Sequence, residues 1–272
     1  MSRKIGLNSL GIILALIWIF PVYWMVNTAF LPESKARSST PTFVPFGGDF
    51  SAFGRVLGDK FFSSMKLSLS ITLIVVAVAL VFAFLSALAV SRFRFAGRKG
   101  FILLILVVQM IPAEALFISQ YKMLQGWGLL NSIAGLSLVY IAAVLPFTVW
   151  MLRGFVDGIP QELEQAAMID GCSRTKAFFK ITFPLLAPGL VASGVYAFLQ
   201  AWNEFTLATV VMSPSNPTLP LWLRGLAVQS NKAVDWPGVM AGAVLVAVPV
   251  IVFFMFVQGR MTSGLVSGAV KG

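Results

Sequence analysis

Charged residues are sparse along the chain and divide it into long neutral stretches. No charge occurs between Lys4 and Glu33, Lys66 and Arg92, Lys122 and Arg153, or Asp235 and Arg260. Two further stretches carry one charge each: Lys99 to Lys122 contains only Glu114, and Lys180 to Arg224 only Glu204. Each gap holds the ~20 apolar residues that a helix needs to cross a hydrocarbon core of about 30 Å. The pattern predicts six membrane spans, near 10–30, 67–90, 101–121, 131–152, 185–211 and 239–258, in one transmembrane domain over 1–272. The runs are continuous and not ten-residue dyad alternations, which argues against a β-barrel. The expected fold is an all-α polytopic membrane protein.

Composition narrows this further. Of 272 residues, 58% are hydrophobic and 11% charged, against roughly 25% charge in soluble domains. A single cysteine and no histidine exclude a disulfide framework, a histidine-based triad and any Cys/His metal cluster supplied by this chain alone. Arg3 and Lys4 ahead of an apolar run imitate a signal peptide, but the run is too long for an h-region and is read as a retained span. If both termini lie in the cytoplasm, that side receives twelve basic residues against eight outside. The dense cluster in Ser91–Gly100 supports this orientation. The net charge of +10 is read as topology and headgroup charge. It forms no nucleic-acid face.

Residues 153–180 stand apart. They hold Asp157, Glu162, Glu164 and Asp170 together with Arg153, Arg174, Lys176 and Lys180. Two short helices with a turn are expected. Pro160 suits a first helical turn, Leu163, Ala166, Ala167 and Asp170 share one face, and Gly171 ends the helix. Ser173 caps a second helix with Ala177, Phe178 and Ile181 on its apolar side. Pro184 and Pro188 mark the passage into the fifth span. Paired alanines on an exposed helix let another protein approach the backbone closely, which suits a docking element.

Gln165-Ala166-Ala167, three residues, Gly171, nine residues and Ile181-Thr182-Phe183-Pro184 resemble the EAA loop of bacterial ABC-importer permeases. Arg92-Phe93-Arg94-Phe95 with Gly97-Arg98, Trp202-Asn203, and the ending Gly264-Leu265 … Gly268-Ala269-Val270-Lys271-Gly272 are similar to the maltose-type carbohydrate permeases. Among these they look like the smaller, MalG-like, six-span partner.

The resemblance implies a type I ABC-importer permease fold in the bacterial cytoplasmic membrane. It implies that 153–184 is the coupling loop, with Glu164, Gln165, Ala166, Ala167, Asp170, Gly171, Ile181 and Pro184 shaping its contact with an ATPase. The family's Glu is Gln165 here, and the adjacent Glu164 is a partial replacement. Cys172 stands where the family commonly has Ala and is read as a small filler. No G-x-x-x-x-G-K-[ST] run is present, so ATP and Mg are expected on a partner and the chain itself is expected to be no enzyme. The implied partners are a second homologous permease, two ATPase subunits or a dimer, and an extracytoplasmic solute-binding lipoprotein. The outer segment 213–238, with Pro214, Pro217 and Pro220, corresponds to the loop that faces that binding protein.

Glu114 and Glu204 are the charges inside spans, where ionisable groups are costly and default to a wet cavity or a partner helix. At 1.5 Å per residue they lie about 20 Å and about 30 Å from the inner side. Gln200, Trp202, Asn203 and Glu204 combine an aromatic face with amide and carboxylate groups, the set a sugar asks for. These, with Glu114, are the translocation-path candidates, and Gln109 and Gln120 are weaker ones. Trp and Asn near a span end also serve as interface anchors, and in the maltose-type system the sugar site is mainly in the other permease. Pro112 and Pro249 are expected to kink their helices. The expected activity is ATP-driven import of a di- or oligosaccharide. A glycerol-phosphate-type solute and a self-sufficient secondary transporter remain as alternatives.

Overall fold

The computed structural model describes residues 2–45, 48–228 and 233–269. Val270, Lys271 and Gly272 of the C-terminal pattern, and 229–232 of the outer segment, lie outside them. Among the described residues there is no strand. The helices are α1 (Ser2–Ala29), α2 (Glu33–Ala36), α3 (Ser51–Val56), α4 (Asp59–Arg92), α5 (Arg98–Gln109), α6 (Phe117–Gly126), α7 (Ile133–Asp157), α8 (Glu162–Ile169), α9 (Arg174–Ala177), α10 (Phe183–Asn203), α11 (Thr206–Val211), α12 (Leu219–Ala227) and α13 (Trp236–Ala269). By length and composition five are long and apolar enough to cross a membrane, or six when the bent pair Arg98–Gln109 and Glu114–Gly126 counts as one.

The sequence pattern treats the chain as one domain, and its contacts divide it into two compact units, Met1–Met65 with Leu219–Ile251 and Lys66–Thr218 with Val252–Gly272.

In the first unit the apolar window of α1 is unburied, and the chain after α1 folds back on the C-terminal end of this helix. The Tyr23 hydroxyl donates to the Phe43 carbonyl, Asn27 Nδ2 donates to the Thr42 carbonyl at 2.7 Å, and Phe30 meets Phe50 and Phe53 with ring centroids 5.1 Å apart in each case. Phe61 packs on Trp222. Asp235 begins α13 by accepting from the Gly238 amide at 3.1 Å, an N-cap bond that satisfies an orphan donor. The same carboxylate takes Arg55 Nε and Nη2, each at 3.0 Å, and holds that guanidinium above its usual range. Arg37 Nη2 donates to the Val234 carbonyl at 3.0 Å. Two arginines of the first outer segment therefore grip 234–235.

In the second unit, small residues let helices approach. Val75, Ala79, Ala83 and Ala87 of α4 are fully buried, and their spacing of four puts them on one stripe. Ala83 and Ala87 join Val149, Leu152 and Val156 of α7, Ile159, and Leu186 of α10 in one core. At Gly189, a Cβ would stand 2.5 Å from Phe155 Cγ, so only glycine allows α10 this close to α7. Phe198 stacks on both Trp202 and Phe253.

Three elements differ from the sequence pattern. The third expected span breaks before Pro112, and its two helices meet at 89°. Proline drives the residue before it out of the α region, and the chain re-enters through a 3₁₀ turn, Ala113–Leu116. Pro249, by contrast, sits inside uninterrupted α13. The fifth expected span stops at Asn203, because Glu204 is extended (φ −68°, ψ 124°). At its other end there is no break at Pro184. A π turn, Phe178–Thr182, closed by the Phe183 amide on the Phe178 carbonyl, carries the helix continuously from Arg174 to Asn203.

Candidate functional site

The segment 153–184 forms one short helix, α8, as its pattern predicts, while the second expected short helix, α9, is the first turn of the continuous helix that runs to Asn203. Pro160 is the exception, lying ahead of α8 and not in its first turn. The opening bonds run from the Glu164 and Gln165 amides to the Gln161 carbonyl, so Gln161 takes the capping position. Gly171 terminates α8 at φ +89°. Its amide donates to the Met168 carbonyl and the Cys172 amide to the Ala167 carbonyl, at 3.1 and 3.0 Å. This pair of bonds is the Schellman stop that a left-handed glycine makes cheap. Ser173 then accepts from the Lys176 amide at 3.3 Å and caps α9.

The outward side of α8 mixes apolar and acidic groups. Leu163, Ala166 and Ile169 are exposed, Ile169 at 86%, beside exposed Glu162 and Asp170, and Ala167 is half-buried. Water-facing apolar groups of this size on a short helix mark a surface that something covers. Glu164 points the other way. Its Oε1 accepts from Thr182 Oγ1 at 2.6 Å and lies 3.7 Å from Arg92 Nη2, and Arg92 also donates to the Ile159 carbonyl at 3.1 Å. The helix is thus fastened both to the end of α4 and to the π turn. Between them lies a cavity of about 440 Å³ lined by Arg92, Glu164, Gln165, Met168, Arg174 and Phe178. Gln165, Asp170, Gly171 and Pro184 are exposed and Ile181 half-buried.

The membrane candidates separate into two groups. Glu114, Gln200 and Glu204, together with Gln109, line one cavity of about 250 Å³, joined by Phe117 and Tyr196 and closed by Tyr140. Trp202 and Asn203 do not. Trp202 is 1% exposed and stacked on Phe198, and Asn203 Nδ2 donates to the Leu199 carbonyl of its own helix at 2.9 Å. Gln120 is also outside this lining.

Within the cavity Glu204 has a structural duty. Its Oε1 accepts from the Leu207 amide at 2.7 Å, and Oε2 from the Ala208 amide at 3.0 Å and the Tyr140 hydroxyl at 2.6 Å. The carboxylate caps α11 at its positive end, which is why the backbone leaves the helix at this residue. No motif in the sequence marks Tyr140, an interior tyrosine whose one signal there is a span charge in need of a partner.

Long apolar helices, a loop between α7 and α10 that exposes α8, and polar side chains gathered around one cavity fit a multi-pass membrane transport protein. The family pattern for the binding-protein-dependent transport system inner membrane component matches residues 8–265, and the chain belongs to that family. It is 40% identical to the diacetylchitobiose uptake system permease DasC of Streptomyces coelicolor, over 97% of this chain and 96% of that one. It is 34% identical to the trehalose transport system permease SugB of Mycobacterium tuberculosis, over 93% of each. A solved chain of a bacterial ABC transporter involved in the import of the acidic polysaccharide alginate shares the fold, with a TM-score of 0.79 at 24% identity over 95% of this chain and 96% of that one. The protein is a multi-pass membrane permease of the ABC-importer class.

Proposed function

We propose that this permease imports a neutral di- or oligosaccharide across the bacterial cytoplasmic membrane, with both termini inside, and that α8 is where ATP-driven motion enters it. The observation that carries this is the exposure of Leu163, Ala166 and Ile169 on α8, a helix ended by Gly171 and tied through Glu164 to Arg92. A helix that is anchored at one side and bare at the other transmits a push from a partner to α4 and α10 as a rigid piece. In this reading Gln165, Ala166, Ala167 and Asp170 meet an ATPase subunit, and Gly171, Ile181 and Pro184 hold the shape of the loop. Glu164 acts from behind and does not stand in for the carboxylate that Gln165 lacks.

ATP and Mg then belong to two ATPase subunits, a second homologous permease completes the membrane pathway, and an extracytoplasmic binding protein delivers the solute. The outer segment 213–238 faces that protein in this reading, and the grip of Arg37 and Arg55 fixes 234–235 near its end. The cavity around Glu114, Gln200 and Glu204 lies on the transport path. The sugar assignment is supported by the diacetylchitobiose and trehalose permeases among the relatives.

Co-purification of the chain with its partners, followed by ATP hydrolysis with and without the loaded binding protein, tests the reading. Stimulation by the binding protein is expected. A purified chain that recruits no ATPase subunit contradicts it.

A further inference from the structure

We propose that the cavity of the second unit is a subsite in this subunit for one uncharged sugar ring, held by Gln109, Glu114 and Gln200. The inference rests on the transport reading above and adds the ligand chemistry and the side chains that meet it.

Four observations converge. First, the side chains of Gln109, Glu114 and Gln200 make no hydrogen bond or ion pair among the described residues, and all three residues are exposed in the cavity wall. Polar groups left without partners at membrane depth are expensive, so a hydroxyl-rich solute gains bonds there without breaking any within the protein. Second, Glu204 is spent. Three donors already occupy its carboxylate, so it forms a fixed wall and leaves Glu114 as the acceptor for sugar hydroxyls. Third, two carboxylates and no Lys or Arg line the cavity. In a low-dielectric setting that sign of charge repels an anionic solute and tolerates a neutral one. Fourth, Phe117 and Tyr196 supply aromatic surface for the C–H faces of a ring, and about 250 Å³ is just under the ~300 Å³ lower end of small-ligand sites. It takes one ring and not a chain. An oligosaccharide would therefore pass it unit by unit.

The test uses the full complex of this chain with its second permease, ATPase and binding protein in proteoliposomes. Uptake of radiolabelled diacetylchitobiose and trehalose is measured beside ATP hydrolysis. In Gln200→Ala and Glu114→Gln, sugar moved per ATP should fall about 5- to 10-fold, the cost of one lost hydrogen bond. Hydrolysis stimulated by the loaded binding protein should stay within roughly twofold of the parent. An unchanged ratio in both Gln200→Ala and Glu114→Gln overturns the subsite while leaving the transport reading intact. A parent complex that hydrolyses ATP in response to its binding protein yet moves neither sugar overturns the neutral-ring assignment. A parent without any stimulated hydrolysis overturns the transport reading itself.

Discussion

Arg92 and Glu164 lie 3.7 Å apart, with only 12% and 18% of their side chains exposed, and together they tie the docking helix to the end of α4. Because both are largely out of water, removing one leaves the other charge poorly compensated. Arg92→Ala should therefore cost about 1–3 kcal/mol of local stability and lower ATP-coupled uptake several-fold, with membrane insertion unchanged. A double-mutant cycle with Glu164→Gln, read by thermal unfolding of the purified complex, should show a non-additive term. Additive effects would mean that the pair transmits nothing.

Gly171 occupies a left-handed conformation at φ +89° with open space around it. Gly171→Ala meets no steric neighbour and should cost only the backbone penalty of roughly 1–2 kcal/mol. Gly171→Pro removes the amide that bonds to the Met168 carbonyl and forces φ negative. Transport should stop in this variant while the protein still inserts. Uptake at the parent rate in Gly171→Pro would contradict the coupling role of the turn.

Glu204 and Tyr140 make the opposite kind of site, one in which a charge is fully answered. Glu204→Ala strips two backbone amides and a phenol of their acceptor and should destabilise by about 2–3 kcal/mol, visible as a lower unfolding temperature in detergent. Tyr140→Phe removes one donor of three and should cost about 1 kcal/mol. If the two variants behave alike, the cap is not what holds this bend.

The separation of these two roles was beyond the sequence. Charge gaps reveal where helices run, and the spacing from Gln165 to Pro184 reveals the loop and its glycine stop, because those signals are local. The bend at Glu204 depends on Tyr140, far away in the chain, and on two amides of the next helix. No periodicity carries such a pairing. Trp202 and Asn203 have the composition of a sugar site, yet Trp202 is stacked in the core and Asn203 turns to its own backbone. Composition alone does not say which side of a helix a residue occupies. Pro160 lies two residues ahead of Glu162, the first residue of α8, within the residue or two by which helix ends vary.

Outside the helical layer, Asp235 serves two partners that can be told apart. Arg55→Ala breaks an exposed ion pair and should cost no more than about 1 kcal/mol, shrinking further in high salt. Asp235→Ala also loses the cap on the Gly238 amide and should cost about 1 kcal/mol more. Equal, salt-insensitive losses in the two variants would remove the cap from the account.

The most direct test of the central claim is a cross-link from α8 to the ATPase. In a Cys172→Ser background, which removes the chain's single cysteine, Ala166→Cys is paired with a thiol-reactive cross-linker in the purified complex and the product is identified by mass spectrometry. The account predicts a cross-link to the ATPase subunit whose yield changes when ATP is added. A complex that hydrolyses ATP normally but gives no ATPase adduct from position 166, with or without nucleotide, would contradict it.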